Sequence, residues 1–299
     1  MVSFIDANRD VYGVESICGQ LPIAPSMYYE MKAREAQPER VPPRLTRDKA
    51  LSLEIQRVYD ENFEVYGARK VWRQLGREDI EVARCTVERL MRSLGLQGAV
   101  RGRKCRTTVA DESAPRPLDH VNRQFRASRP NQLWVADFTY VATWSGFVYV
   151  AFVIDVFSRR IIGWRVARSM RAELVLDALE QAIWSRSGAH GVVHHSDRGS
   201  QYLSIRYSER LAEFGAQPSV GSVGDSYDNA MAESVIGLYK AEVIHRRGPW
   251  RGLDDVEYAT LEWVDWFNNR RLLEPIGNVP PAEFEDTYHQ STSQLPMAA

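Results

Sequence analysis

From Asn131 onward the chain settles into a regular pattern of apolar and polar positions. In NQLWVADFTYVATW, Leu133, Val135, Asp137 and Thr139 fall on one face of an extended segment, and Trp134, Ala136, Phe138 and Tyr140 on the other. This alternation predicts a strand. GFVYVAFVIDVFS is apolar on both faces and predicts a buried second strand, with the hairpin turn at Ser145-Gly146. RRIIGWRVA predicts a third strand, and RAELVLDALEQAIWSRSG an amphipathic helix closed by Gly188. VVHHSD, SIRYSERLAEFG and AQPSVGS then read as strand, helix and short strand. A further helix carries Ala232, Val235, Ile236, Tyr239 and Val243 on one apolar arc, and LDDVEYATLEWVDWFNNRR predicts another, built on Val256, Ala259, Trp263 and Phe267. Three meandering strands followed by alternating helices and strands predict an α/β fold: a mixed five-stranded sheet flanked by helices.

Upstream the pattern is helical. Residues 1–43 are mixed and predict two short helices broken by Pro22 and Pro25, followed by a linker, AQPERVPPR. Residues 44–106 predict a small all-α domain. Its first helix carries Leu51, Ile55, Val58 and Tyr59 at helical spacing, and its second carries Val71, Trp72 and Leu75. The third, ARCTVERLMRSLGL, ends near Gly95. Helix, short connector and Arg-bearing helix form the outline of a helix-turn-helix, with Arg84, Thr86, Arg89 and Arg92 placed to face a groove or phosphates. The other reading is a three-helix packing module with solvated arginines. Residues 107–130 are polar, hold three prolines up to Pro130 and predict a linker. The sheet and its last helix then occupy residues 131–289, and the polar residues 290–299 predict a frayed tail.

Charge sharpens the division. The net charge of -1 conceals a split: residues 1–130 hold 23 Lys and Arg against 18 Asp and Glu, and residues 131–299 hold 15 against 21. Arg84 to Arg106 carries seven cations, opposed only by Glu88. Arg101, Arg103 and Lys104 extend this basic surface past the third helix, which points to a polyanion such as DNA. The composition, 44% hydrophobic and 26% charged, is that of a globular protein. No run approaches the roughly eighteen apolar residues that a membrane span needs. Three cysteines, Cys18, Cys85 and Cys105, lack metal-ligand spacing and fit a reducing cytoplasm.

The chemistry concentrates in the second half. Asp137 sits mid-strand among apolar residues, where a lone carboxylate is costly unless paired or bound to a metal. Asp197 follows the fourth strand, at the carboxyl end where open α/β sheets place ligand sites. Glu233 comes 35 intervening residues later, at the edge of a helix's apolar arc, with Lys240 two turns above it and Gly237 on the same stripe. Three carboxylates can hold a pair of Mg²⁺ ions bridged by a substrate phosphate, the arrangement that cutting a phosphodiester wants. An open coordination set also admits a DNA 3′-hydroxyl in place of water. Asp155 competes as an acid but reads as structural, paired with Arg159 or Arg160. His194 and His195 look like ligands, yet adjacent strand residues face opposite ways, so neither is expected to be one. Asp225, Asp228 and Asn229 read as helix caps.

At these residues the chain resembles a transposase of the retroviral-integrase superfamily, and most of all the second-frame (OrfB-type) protein of bacterial insertion elements of insertion-sequence family three. The resemblance covers most of the chain. It rests on YGARKVWRQL and ARCTVERLMRSLGL in the helical part, and on WVADFTY, IDVFSRRIIGW, HHSDRGSQY, GDSYDNAMAES and FNNRRLLEPIGNVPPAEF beyond it. It implies a ribonuclease-H-like core preceded by a helix-turn-helix DNA-binding domain, with Asp137, Asp197 and Glu233 as the metal-holding catalytic acids. Lys240 falls where the family places a cation on the DNA end. The implied activity is Mg²⁺- or Mn²⁺-dependent cleavage at element ends, with two ions per site, and strand transfer into target DNA. The implied partners are DNA, further copies of the chain, and an upstream-frame protein or fusion, since no leucine-heptad segment is present. The implied setting is the bacterial cytoplasm, at the nucleoid. Two alternatives stay open: a nuclease of the same fold, and a DNA-binding regulator of transposition without activity of its own.

Overall fold

The computed structural model describes residues 1–37, 41–100, 127–196, 201–202, 204–220 and 230–293. Three helices open the chain: α1 (Val2–Tyr12), α2 (Val14–Gln20) and α3 (Pro25–Ala36). They enclose a small core of their own, Ile5, Ile17, Cys18 and Tyr28. The two-helix expectation for this stretch fails at Pro25, which starts a helix instead of breaking one. At the first helical position proline's missing N–H has no partner to lose, and its fixed φ suits the helix. Pro43 does the same for α4 (Pro43–Glu61).

Helices α4, α5 (Ala68–Arg77) and α6 (Arg84–Ser93) form the expected three-helix unit. Leu51, Ile55, Val58, Val71, Leu75, Val87, Leu90 and Met91 are buried in it, as helical spacing requires. The unit does not stand apart from the rest. Its core is continuous with the apolar face of the sheet. Trp266 donates its indole N–H to Asn62 (3.1 Å), and the Tyr66 hydroxyl accepts the backbone N–H of Leu272 (2.8 Å), both buried. Burial pushes the Tyr66 phenol up to about 12, so this hydroxyl stays protonated. Arg77–Glu283 and Arg69–Glu274 ion pairs close the rim.

The sheet contains β1 (Leu133–Thr143), β2 (Gly146–Asp155), β3 (Ile161–Ala167), β4 (Val193–Ser196) and β5 (Gln217–Val220) in the order β3-β2-β1-β4-β5. β1, β2 and β3 are antiparallel neighbours, while β4 and β5 run parallel to β1. This is the ribonuclease-H-like arrangement. The tip of the first hairpin is Trp144–Ser145, one residue earlier than expected, and Gly146 already pairs with Thr143 at a φ of 108°. One face of the sheet is covered by α7 (Ala172–Ser185) and α8 (Ile205–Phe214) over Trp134, Ala136, Ala151, Val153 and Ile162. α7 comes so close to β3 that a Cβ on Gly163 would lie 2.1 Å from the Ala178 carbonyl oxygen. Only glycine fits there.

The other face is covered by α9 (Ala230–Tyr239) and α11 (Leu253–Asn269), separated by a π-helical turn, Lys240–Ile244, and the short α10 (His245–Arg247). The chain ends its described part in α12 (Pro281–Ser293), which runs past the point where fraying was expected. Two anchors explain this: the Glu285 carboxylate, buried against Arg186, and the rings of Phe284 and Tyr288 against Phe157. Arg186, with Arg160, holds the Glu285 carboxyl below its usual range although burial works the other way.

Candidate active site

Asp137 lies midway along β1, opposite Phe152 of β2, on the face that α9 covers. Its carboxylate is half-buried and accepts the backbone N–H of Phe138 (2.8 Å). On the other side of β1, the parallel β4 pairs Ser196 with Ala136, the residue before Asp137. Asp197, next in sequence after Ser196, lies outside the described residues, as does the expected capping set Asp225, Asp228 and Asn229.

α9 turns its apolar arc down onto the sheet. Met231, Ala232, Val235, Ile236 and Tyr239 are buried, the Tyr239 ring meets Phe152 edge-on, and its hydroxyl lies 2.7 Å from that of Thr260. The stripe Glu233, Gly237, Lys240 therefore rides at the margin of the packed surface, with Glu233 exposed and the other two half-exposed. Glu233 and Lys240 are about 10 Å apart along the axis at the rise of an α-helix. Burial lowers the affinity of the Lys240 amine for its proton, and the Asp137 carboxylate opposes that shift. The cation at the end of α9 and the acid of β1 thus share one small region.

Lys240 is also the first residue of the π-helical turn. Two residues later Glu242 is buried and forms an ion pair with Arg271, and Trp263 donates its indole N–H to the same carboxylate (3.1 Å). A single-turn π segment of this kind marks functional positions in many helices. Nothing in the residue pattern signalled it. Glu242 and Arg271 are 29 positions apart, and only the fold brings them together.

The remaining described candidates are engaged by other partners or by solvent. His194 is buried with its Nε2 3.1 Å from the Tyr207 hydroxyl, and His195 lies 3.0 Å from the Ser219 hydroxyl through Nδ1. Burial, reinforced by the neighbouring His195, drives the His194 imidazole down to about 4, so it is neutral. The pair supports the end of the sheet. Asp155 is fully buried but is not held by Arg159 or Arg160. Its carboxylate accepts backbone N–H groups of Asn131 (2.7 Å), Phe157 (2.9 Å) and Ser158 (3.2 Å), and burial still pushes its pKa upward. Arg160 goes instead to Glu285 (3.5 Å). In the helical unit, Arg89 is engaged by both carboxylate oxygens of Asp48 (2.8 and 2.9 Å), and Arg84 pairs with Glu88 (3.1 Å). Arg92 is exposed on the last turn of α6 and Thr86 is half-exposed, while Arg101, Arg103 and Lys104 lie outside the described residues. Among the described residues, no three His, Cys, Asp or Glu side chains gather as a metal site, and no helix is long and apolar enough to cross a membrane.

Known proteins resemble this chain in sequence. Over all 299 residues the chain is 58% identical to the transposase for insertion sequence element IS629 of Shigella sonnei, spanning the whole of both. The chain belongs to the insertion-sequence transposases. Over 283 residues, 93% of this chain and 100% of the relative, it is 59% identical to the putative transposase for insertion sequence element IS986/IS6110 of Mycobacterium tuberculosis (strain ATCC 25618 / H37Rv). Two integrase core domain models match this transposase, at residues 127–226 and 214–281, and an HTH-like domain model matches residues 46–104. HTH-like domain and integrase core in this order give the family-three, second-frame type. Among solved structures, the HTLV-2 integrase catalytic core domain in complex with magnesium is 17% identical with a TM-score of 0.43, over 54% of this chain and 99% of that one.

Proposed function

We propose that this transposase cuts DNA at the ends of its insertion element and joins the freed 3′-ends to target DNA, with Asp137, Asp197 and Glu233 as the acids that carry the chemistry. One observation supports this most directly. The α9 stripe that bears Glu233 and Lys240 lies against β1, close enough for Asp137 to act electrostatically on Lys240. The parallel pairing of β1 with β4 ends with Ala136 beside Ser196, and in the sequence Asp137 and Asp197 are the residues that follow these two.

The donors suit Mg²⁺ or Mn²⁺. Asp137 and Glu233 offer hard carboxylate oxygens, and both nearby histidines are withdrawn into hydrogen bonds with Tyr207 and Ser219. When bound, a pair of such ions would activate the attacking oxygen and offset charge on the leaving one. The protein's own share is positional. Asp137 is fixed in direction by the Phe138 N–H. Glu233 is presented on a helix clamped by five buried side chains. Lys240 sits where it would neutralise a phosphate of the DNA end and hold it in line. Arg84, Arg89 and Arg92 of the helical unit, and in sequence beyond them Arg101, Arg103 and Lys104, are the cations proposed to hold the duplex. Arg89 would exchange Asp48 for a phosphate on binding.

Labelled duplex carrying the element's terminal sequence, incubated with the protein and Mg²⁺, tests this by scoring both cutting and joining. Cutting without joining would reduce the reading to a nuclease. Binding with neither, even with the upstream-frame protein supplied, would leave a regulator.

A further inference from the structure

The π-helical turn that begins at Lys240 has to be held from outside itself. Its hydrogen bonds close wider rings than those of an α-helix, so the regular ladder of α9 stops where the turn starts. Three contacts hold it. At the start the Tyr239 hydroxyl meets that of Thr260, and at the end the Ile244 carbonyl accepts the Trp250 indole N–H (3.1 Å). Between them lies Glu242, on which the Arg271 guanidinium and the Trp263 indole N–H converge. Of these three anchors, Glu242 alone carries charge.

Glu242 follows Lys240 by two residues. Residues two apart on a helical turn point to roughly opposite sides, about 200° at α-helical spacing. The rotation that takes Glu242 into the core therefore turns Lys240 out of it. Glu242 is 4% exposed, while Lys240 is half-exposed with its Nζ 5.3 Å from the centre of the Tyr140 ring of β1. Asp137 of the same strand acts on it electrostatically. A slip of the turn by one residue is a rotation of about 100°. It would carry Lys240 away from β1 and Glu242 away from Arg271. Stability alone does not call for charge at this place, since a buried ion pair is often no more stabilising than apolar side chains of similar volume. What the pair adds is direction. A guanidinium that grips both oxygens of a carboxylate accepts a narrow range of orientations, whereas an apolar side chain at 242 would pack at several.

We infer that Glu242 and Arg271 are positioning residues for the DNA reaction: their ion pair fixes the rotation of the π turn and so aims the Lys240 ammonium at a phosphate of the DNA end. This rests on the reading of Lys240 given above. Both residues are buried and act through the lysine, without touching DNA themselves. Arg271 is in turn placed by the seam with the helical unit. Its backbone N–H donates to the Trp266 carbonyl (2.8 Å), and the N–H of the next residue, Leu272, donates to the Tyr66 hydroxyl. The aim of the lysine is thus set within the frame on which the HTH-like region docks.

The test is a double-variant cycle on the full chain with element-end duplex. It reads affinity in Ca²⁺ at several salt concentrations, and cutting rate in Mg²⁺ at saturating DNA, below the unfolding temperature of every variant. Glu242→Gln keeps the shape of the side chain and removes its charge. It is expected to lower the slope of log affinity against log salt by up to about 1, toward the value of Lys240→Ala. The cutting rate is expected to fall by up to about 10²-fold, the scale of a 1 Å misplacement. Adding Lys240→Ala to Glu242→Gln is expected to cost little more, because the lysine has already lost its aim. Losses from the two substitutions that multiply in full would make the ion pair a packing element and overturn the inference. Glu242→Leu with Arg271→Met removes both charges and decides the matter if Glu242→Gln fails to fold. Wild-type slope and rate in that folded double variant would likewise overturn the inference. An unchanged slope in Lys240→Ala would overturn the reading of Lys240 and the inference with it. A slope that falls in Lys240→Ala but in neither Glu242 variant would overturn the inference alone.

Discussion

Arg271 grips Glu242 through Nε and a terminal nitrogen in an ion pair that leaves neither side chain more than 5% exposed. The Arg271 guanidinium also lies 5.6 Å from the Phe267 ring and 5.8 Å from the Trp266 ring. Glu242 belongs to the same π-helical turn as Lys240, and Arg271 precedes Leu272, whose N–H is held by Tyr66 of the helical unit. One buried charge pair thus links the end of the α9 stripe to the seam where the HTH-like region docks on the sheet.

Breaking that pair from one side is expected to be costly. Arg271→Ala leaves the Glu242 carboxylate buried without its counter-ion, and loss of one partner of such a pair costs about 3–5 kcal/mol. The urea midpoint should fall accordingly. Replacing both residues together, as Arg271→Met with Glu242→Leu, should recover part of the loss: no buried charge remains, but the Trp263 indole N–H is left without its acceptor. A double variant as unstable as Arg271→Ala would show that packing, not charge, sets the cost.

The seam itself can be probed at one hydrogen bond. Trp266→Phe keeps an aromatic ring at the site but removes the donor to Asn62, leaving a buried amide oxygen unpaired at a cost of roughly 1–3 kcal/mol, to which the lost indole volume adds a cavity cost. Combining it with Asn62→Leu should give less than the sum of the two single effects. Strict additivity would mean the two residues are not coupled across the seam.

The elements of the core were readable because the sheet and its helices bury one face each, and burial writes a period into the sequence. Alternation over Leu133–Tyr140 gave β1, and helical spacing over Val256–Phe267 gave α11. Features that depend on backbone or on distant residues left no such trace. Pro25 and Pro43 look alike whether they break a helix or start one, and the flanking packing decides. The arginines that follow Asp155 in sequence suggest an ion-pair partner, but the groups that hold it are backbone N–H groups of a turn, which every residue except proline possesses. The stripe of Glu233 and Lys240 was legible from helical geometry. The exposure of Tyr140 and Phe147 was not, since exposed and buried aromatics are written with the same letters.

His194 makes stability depend on pH. Its folded-state value is about 4, against 6.5 when exposed, because burial disfavours the charged ring. Between these values the unfolded chain binds the extra proton, so stability rises with pH across this window. The contribution is complete above about 6.5 and is lost as the pH falls toward 4, on the order of 3 kcal/mol in all. Urea midpoints measured from pH 7 to pH 4.5 should fall in wild type and fall less in His194→Gln. Equal slopes in the two proteins would assign the loss to other groups.

Glu233→Gln separates chemistry from binding. The substitution keeps size and exposure but removes the anionic oxygen that would hold a metal ion. Loss of several kcal/mol of charge stabilisation corresponds to a rate lower by on the order of 10³-fold or more. End binding in Ca²⁺ should remain within a fewfold of wild type. Full cutting activity in this variant would remove Glu233 from the reaction.

Lys240→Ala asks whether the cation beside Asp137 belongs to the DNA or to the fold. A lysine that neutralises one phosphate releases about one counter-ion, so its loss should lower the slope of log affinity against log salt by about 1 and weaken binding to all sequences alike. A lysine serving only to balance Asp137 would leave that slope unchanged and lower stability instead, since the half-buried carboxylate would lose its nearby positive charge. The two outcomes are read in different experiments, salt titration of end binding and urea unfolding. Lys240→Arg sharpens the distinction. It keeps the charge near Tyr140 and Asp137 but presents a planar fork in place of a compact ammonium, and should restore the salt slope. Restored stability without a restored slope would place Lys240 in the fold alone.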